Sequence, residues 1–287
     1  MTIADDIVAI DVHTHPQTAE FIAAMGSRHA QMSKHFGRER PVVSFAEQAD
    51  AYRERKMMAV IVNSDSETTS GIKGAPNDLL GRAQAEHPDV FIAFAGIDPW
   101  KGEAAIEEIR RMHGEFGIKG VGELNPSRQK FLANDRRFYP IWEVCSELGL
   151  VVMFHCGFPG AGAGTPGGGG YRLEYAKPVP YIDDVAADFA DLKIISAHPA
   201  WPWHLENLAM VWHKSNVYLD LSGWAPKYLP PEVVKYADSL ISDRVLFGSD
   251  WPVMTADRWM AEFDELPLKP DTRRKILLDN ARTLFGL

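Results

Sequence analysis

Short apolar runs alternate with longer amphipathic segments from one end of this 287-residue chain to the other. We read the apolar runs as strands over residues 7–13, 58–63, 90–97, 118–124, 150–155, 192–198, 217–221 and 244–250. Repeated strand–helix alternation predicts a parallel sheet with helices on its outside. Eight strands fit a closed (β/α)₈ TIM barrel, and a chain of this length fits a single domain spanning 1–287.

The amphipathic segments supply the helices of such a barrel. The clearest helix begins at Ser44, because the sequence SFAE from this residue has the form of a capping box. We expect further helices over 102–116, 136–148, 179–189, 203–213 and 230–239.

Two long segments, 16–43 and 157–180, interrupt the alternation. Loops of this kind at the C-terminal face of a barrel commonly build or cover the active site. The glycine run 167–170 lacks the pattern of a phosphate-binding loop, so we interpret it as a flexible lid.

Polar side chains end several of the strand-like runs. His13 and His15, in the sequence DVHTH, point the same way from an extended strand and can bind one metal ion together. His155, His198 and Asp250 end three later runs, and the carboxyl ends of all strands meet at one rim of a barrel. Imidazoles with one carboxylate suit zinc or a similar first-row divalent ion. The sequence therefore predicts a metal-dependent enzyme.

Charge and composition limit the classes of binding partner and the location that we expect for this chain. The net charge is −9 with no cluster of lysine and arginine, which disfavours nucleic-acid and anionic-membrane partners and leaves a small-molecule substrate. No secretory signal and no apolar run long enough to span a bilayer are evident, so we expect a cytoplasmic protein. The two cysteines, Cys145 and Cys156, make no disulfide framework, and we expect Cys156 to be a small buried residue.

Several motifs together resemble one family. They are DVHTH at 11–15, VMFH at 152–155, IISAHP at 194–199, FGSDWP at 247–252 and KILLDNAR at 275–282. With these motifs the chain resembles the amidohydrolase superfamily over essentially its whole length. The similar branch contains aminocarboxymuconate-semialdehyde decarboxylase and γ-resorcylate decarboxylase.

The resemblance implies one divalent metal ion, with zinc first and manganese or iron as alternatives. The implied ligands are His13, His15, His155 and Asp250. His198 would lie beside the metal and contact water or substrate, and Asp250 would also move a proton. A homodimer is the ordinary assembly of such relatives.

Two departures from the family pattern affect this interpretation. Binuclear relatives often have a carbamylated lysine at the end of the fourth strand, where this chain reads GVGELNP over 120–126. One metal ion is therefore favoured over two. Glu123 could be an extra ligand, a proton carrier or a substrate contact, and the alternative is a rim carboxylate paired with an arginine. Some similar lactonases keep these histidines and work without metal, which stays an alternative.

Substrate contacts are less well marked in the sequence. Arg172, in the glycine-rich segment, is a candidate clamp for a substrate carboxylate, with a solvated loop arginine as the alternative. Trp201, with Trp203, Trp224 and Trp251, either walls an aromatic pocket or packs structurally.

The expected reaction follows from an activated water at the metal. We expect hydrolysis of a small organic acid, ester or thioester, and an aromatic β-ketoacyl thioester is one candidate. The first alternative is non-oxidative decarboxylation of an aromatic or muconate-type acid, although this branch's decarboxylases usually carry longer insertions and a larger dimer surface. The second alternative is a catalytically silent barrel that binds a ligand.

Overall fold

Eight parallel strands pair in chain order around a barrel. In the computed structural model, the described residues are 6–26, 29–30, 32–33, 37 and 41–287. The strands are β1 Ala9–Thr14, β2 Met57–Val62, β3 Phe91–Ala95, β4 Gly120–Leu124, β5 Val151–His155, β6 Lys193–Ala197, β7 Val217–Asp220 and β8 Val245–Leu246. The backbone N–H of Val12 donates to Phe247 O at 2.9 Å and that of His15 to Trp251 O at 2.8 Å, which joins the β8 segment back to β1.

Helices cover the outside of the barrel. They are α1 Ala19–Met25, α2 Phe45–Glu54, α3 Glu67–Ser70, α4 Asp78–Glu86, α5 Glu103–Phe116, α6 Pro126–Gln129, α7 Tyr139–Glu147, α8 Tyr181–Asp188, α9 His204–His213, α10 Pro231–Ala237, α11 Ala256–Asp264, α12 Pro270–Arg274 and α13 Asn280–Phe285. Within the described part of the chain, no helix is long and apolar enough to cross a membrane.

The eight predicted strands and the (β/α)₈ class are confirmed, with boundaries shifted by at most four residues. Each predicted helix is present, but the structure adds helices that were not predicted: α1, α3, α4, α6, α11 and α12. The pattern of α4 is weak because a glycine and a glutamine are among its four buried residues. The segment 16–43 is not a simple loop, since α1 lies within it, and part of the segment, including His35, lies outside the described residues.

Two apolar layers hold the barrel together. Inside it, side chains such as Val12 and Met58 meet Phe285 of α13, whose ring lies 6.0 Å from that of Phe94 and plugs the barrel. Between strands and helices, a second layer buries Trp142 and, as predicted, Cys156, which is 1% exposed. Burial raises the pKa of the Cys156 thiol to about 12, which keeps it neutral.

A bulge in β1 turns the two histidines toward the barrel mouth. Between Asp11 and Thr14, β1 advances by three residues while β2 advances by two, from Ala59 to Ile61. Val12 contacts the interior, so strict alternation along the strand would point His13 outward. The extra residue resets the alternation and places the ring of His13 at the rim.

The predicted capping box begins α2. Ser44 Oγ accepts from Glu47 N–H at 3.2 Å, and Glu47 Oε2 accepts from Ser44 N–H at 2.9 Å. The backbone N–H groups at the start of a helix have no partner within the helix, and the capping box provides acceptors for two of them.

We expect Ser44→Ala to lower the free energy of unfolding by about 1 kcal/mol, because it removes this cap. Urea denaturation measures the change. Ser239→Ala is the matched control, since that hydroxyl bonds to Lys235 O on an exposed surface. Equal effects of the two substitutions would contradict the capping role.

Candidate metal centre

The carboxyl ends of four strands bring together the predicted polar residues. His13 lies in the β1 bulge and His15 directly follows β1, His155 ends β5, His198 directly follows β6, and Asp250 lies four residues after the end of β8. The backbone of His198 and Asp250 has positive φ, 68° and 56°, which is uncommon for residues with a side chain. Such conformations are found where surrounding structure fixes a functional side chain.

Three of these residues could hold a metal ion together: His13, His15 and Asp250. The Nε2 atoms of the two histidines lie 3.3 Å apart, and His15 Nε2 lies 3.0 Å from Asp250 Oδ1. His13 Nε2 lies 3.8 Å from the same oxygen. The imidazole and carboxylate donors of this group are those that zinc, manganese and iron use.

Two residues at the end of β7 orient His13, and the sequence reasoning missed both. His13 Nδ1 lies 2.8 Å from Asp220 Oδ2 and 3.0 Å from Ser222 Oγ. A carboxylate at Nδ1 holds a proton there, so Nε2 is the ring nitrogen that faces the shared site. Burial lowers the pKa of His13, but the hydrogen bond and charge of Asp220 outweigh it and raise the pKa to about 10.

A second group of residues that could hold a metal ion shares His13 and adds Glu123 and His198. Glu123 Oε1 lies 2.8 Å from His155 Nδ1 and 3.3 Å from His198 Nε2. Burial tends to raise the pKa of Glu123, but the charge and hydrogen bond of His155, followed by His198, hold it well below its usual range. The carboxylate is therefore ionised and bonded to two imidazoles.

His155 is not part of either three-residue group, although it borders the cavity. Its Nδ1 faces Glu123, while its buried Nε2 has no hydrogen-bond partner among the described residues. Burial lowers the pKa of His155, which favours the neutral ring with a lone pair on Nε2. A buried nitrogen without a partner is costly, and a cation would satisfy it.

Negative charge is concentrated at this rim. Glu123, Asp220 and Asp250 are buried or nearly so, and within the described ranges each has only histidines as ion-pair partners. Buried carboxylates without a strong cation are unfavourable. The donors and their charge thus fit one divalent cation.

His198 is held on its Nδ1 side. That atom lies 3.0 Å from Ser222 O and 2.9 Å from Ser222 Oγ, so Nε2 is the atom turned toward Glu123. Ser222 and His198 can come this close because residue 223 is a glycine. A Cβ at that position would lie 2.7 Å from His198 Nδ1, and the φ of Gly223 is +73°, a value that side chains disfavour. Burial lowers the pKa of His198, but Glu123 and the charge of Asp250 outweigh it and raise the pKa.

The rim forms one side of a cavity of about 470 Å³. Aromatic side chains supply much of the remaining wall: Phe21, Phe158, Tyr171, Trp201, Trp224 and Tyr228. The rings of Trp201 and Trp224 lie 6.2 Å apart. Volume and lining are those of a pocket for a small, partly apolar molecule.

The arginine at this cavity is not the one that the sequence predicted. Arg172 is exposed and does not border the cavity, whereas Arg128, which follows β4, does. Trp201 lines the cavity, in line with the alternative that it walls a pocket. Glu123 also borders the cavity. The glycine run forms a turn in which Gly167, Gly168 and Gly169 have positive φ of 64°, 60° and 62°, and Tyr171 after it reaches the cavity.

Asp11, the first residue of DVHTH, has a structural place rather than one at the rim. Its carboxylate accepts from Tyr52 O–H at 2.7 Å and from Ser249 N–H at 2.8 Å and Ser249 O–H at 2.6 Å. Burial raises its pKa to about 6, although these hydrogen bonds oppose the shift. Asp11 thereby ties β1 to α2 and to the segment that carries Asp250.

The chain matches the family model described as Amidohydrolase over residues 10–287. A γ-resorcylate decarboxylase from Polaromonas sp. is 24% identical over 266 residues, covering 80% of each chain. A 2-amino-3-carboxymuconate-6-semialdehyde decarboxylase from Dictyostelium discoideum is 23% identical over 239 residues, covering 74% of this chain and 65% of that protein. A solved structure of 5-carboxyvanillate decarboxylase from Novosphingobium aromaticivorans, complexed with manganese and 4-hydroxy-3-methoxy-5-nitrobenzoic acid, aligns over 100% of both chains with a TM-score of 0.70 and 18% identity.

Proposed function

Because the chain belongs to the amidohydrolase family, we propose that it is a metal-dependent decarboxylase that removes carbon dioxide from an aromatic or muconate-type acid. The main support for this proposal is that one cavity has a polar, metal-binding side and an aromatic side. A cluster of imidazoles and carboxylates lies on one side, and aromatic rings form much of the other wall. Such a cavity suits an unsaturated ring with a carboxylate.

His13, His15 and Asp250 would hold one divalent ion, with His155 Nε2 as a further donor. When bound, the ion supplies positive charge that binds the substrate carboxylate and a neighbouring oxygen. Asp220 accepts the Nδ1 proton of His13, so Nε2 is the nitrogen that would give up its proton and bind the ion. Manganese is our first choice for loading, because it is present in the 5-carboxyvanillate decarboxylase structure.

His198 would protonate the carbon from which carbon dioxide leaves. As the C–C bond breaks, its electron pair stays on the substrate carbon, which must then take up one proton. His198 Nε2 lies 3.3 Å from Glu123 Oε1, and Glu123 and Asp250 favour the protonated ring. Asp250 is held ionised, because burial is outweighed by the hydrogen bond of His15 and the charge of His13, so it would act mainly as a ligand.

Hydrolysis, the reaction that the sequence favours, has less support than decarboxylation. The characterised relatives described above carry the names of decarboxylases. The expectation that decarboxylases of this branch carry longer insertions stays a prediction, and such insertions do not prevent an alignment over the whole chain. One such enzyme aligns with this chain over the full length of both.

Product analysis tests the proposal. Manganese-loaded protein is incubated with carboxyl-¹³C-labelled 2,6-dihydroxybenzoate or 5-carboxyvanillate in D₂O, and NMR follows the label. We expect ¹³C-labelled carbon dioxide and bicarbonate, and one deuterium on the ring carbon that lost the carboxylate. Hydrolysis of a thioester or lactone panel, with no labelled carbon dioxide from aromatic acids, would contradict the proposal.

Asp220→Asn should weaken metal binding by about 10–100-fold, because removing the partner of a ligating histidine typically costs that much. Titration of metal-stripped protein with Mn²⁺ measures the dissociation constant. Asp243→Asn is the matched control, since Asp243 is exposed and precedes β8 at the opposite end of the barrel. Unchanged affinity in Asp220→Asn would contradict the assigned orientation of His13.

A further inference from the structure

We propose that Arg128 binds an anionic group of the substrate that remains on the product, and thereby selects and positions the substrate. This inference rests on the proposed function, because it adds a second contact to the same cavity. Its starting point is an arginine whose hydrogen-bonding groups are only partly used. Arg128 borders the cavity, and its Nε and Nη2 are buried without a hydrogen-bond partner in the described part of the chain.

The backbone of Arg128 is held firmly although its side chain is not. Its N–H donates to Asn125 Oδ1 at 3.0 Å, and its carbonyl accepts from Thr69 O–H at 3.0 Å. Gln129, the next residue, donates to Asp65 O at 2.6 Å and to Ile97 O at 2.7 Å. The short helix α6 is thus fixed between neighbouring loops, so the backbone from which the Arg128 side chain extends has a set position before any ligand arrives.

No carboxylate of the described residues forms an ion pair with Arg128. Glu123 is the acidic group whose charge acts on Arg128 most, but its Oε1 already bonds to His155 and His198. Burying N–H groups of a charged guanidinium without acceptors is costly, so an acceptor from outside the chain would be strongly favoured. A planar guanidinium matches a carboxylate, which it can bind through two parallel hydrogen bonds.

The reaction determines which anionic group this is. A carboxylate that leaves as neutral carbon dioxide loses its charge on the way to the transition state. A guanidinium on that group would stabilise the substrate more than the transition state and would slow the reaction. Arg128 therefore suits a second anionic group, a carboxylate that keeps its charge throughout. The leaving carboxylate would lie at the metal centre instead, where the ion would also bind the neighbouring substrate oxygen and stabilise the negative charge that remains when carbon dioxide leaves.

Binding of two unreactive probes distinguishes the carboxylate contact at the metal centre from the carboxylate contact at Arg128. Isophthalate has two ring carboxylates and benzoate has one, and calorimetry on manganese-loaded protein measures both dissociation constants. We expect the wild type to bind isophthalate at least about tenfold more tightly than benzoate, since a charge-assisted pair supports a difference of that order. Arg128→Met should reduce the difference to about twofold or less and leave benzoate binding unchanged, and Arg128→Lys should keep part of it.

Arg172→Met is the matched control, because Arg172 is exposed and outside the cavity lining. We expect it to keep the full preference for isophthalate. The inference is overturned if Arg128→Met and Arg128→Lys both keep the wild-type preference, if Arg172→Met loses it, or if the wild type has none. Thermal melts establish that each variant is folded, and Arg128→Lys serves if the methionine variant is not.

The same measurement keeps the two proposals apart. Probe binding requires no turnover, so a preference that depends on Arg128 would support the inference even if no carbon dioxide were released. Release of carbon dioxide with equal binding of both probes would support the proposed function and overturn the role of Arg128.

Discussion

Replacing His198 by alanine should lower kcat for carbon dioxide release by about 10²–10⁴-fold, the usual contribution of a positioned proton donor. Metal content should stay at the wild-type level, because His198 does not belong to the group of His13, His15 and Asp250 that would hold the ion. The measurement pairs initial rates with elemental analysis of the same samples.

His213→Ala is the matched control for this prediction, since His213 is exposed at the end of α9. His198→Gln tests the chemistry further: it keeps a polar side chain but removes the titrating ring, so it should be as slow as the alanine variant. Near-normal turnover by His198→Ala would rule out its assignment as the proton donor.

Asp250→Asn should weaken metal binding by more than about 100-fold, because losing a direct ligand costs more than losing a partner of one. Asp250 Oδ1 lies 3.0 Å from His15 Nε2, so the substitution also removes the negative charge that pairs with this ring. Turnover should fall with the bound metal and recover only in part at high Mn²⁺. Metal dissociation constants and rates across a Mn²⁺ series measure both effects.

Asp191→Asn is the control here, since Asp191 is exposed and precedes β6 at the other end of the barrel. Should Asp250→Asn retain stoichiometric metal at wild-type affinity, Asp250 would be no ligand. The second group, formed by His13, Glu123 and His198, would then be the better candidate for holding the ion.

Periodicity and strand-end chemistry made most of the fold predictable. Strand-like runs and the Ser44 capping box are local patterns, and each is present where the sequence indicates. The meeting of His13, His15 and Asp250 also follows from a simple rule, since parallel strands of a barrel end at one rim.

Other features depend on positions that no local pattern reveals. The bulge before Thr14 changes which face His13 occupies, and it is visible only in the register with β2. Asp220 is the last residue of β7, and the predicted site residues also lie at strand ends. The same rule could therefore have identified Asp220 from the sequence.

The two arginines illustrate the limit most clearly. Arg172 lies in a glycine-rich segment that suggested a mobile substrate contact, yet it is exposed. Arg128 lies in the short helix α6 and carries no distinctive motif. Its importance depends on burial and on unpaired N–H groups, which are properties of the packed structure.

The most direct test of the account is a titration of metal-stripped protein with Mn²⁺, with release of carbon dioxide from 2,6-dihydroxybenzoate or 5-carboxyvanillate as the readout. The account predicts no release without metal, a rise in proportion to added metal, and a break at about one ion per chain, as expected for a single site with imidazole and carboxylate ligands. Release that is unaffected by removing the metal, a break at two ions per chain, or no release at any metal concentration would contradict it.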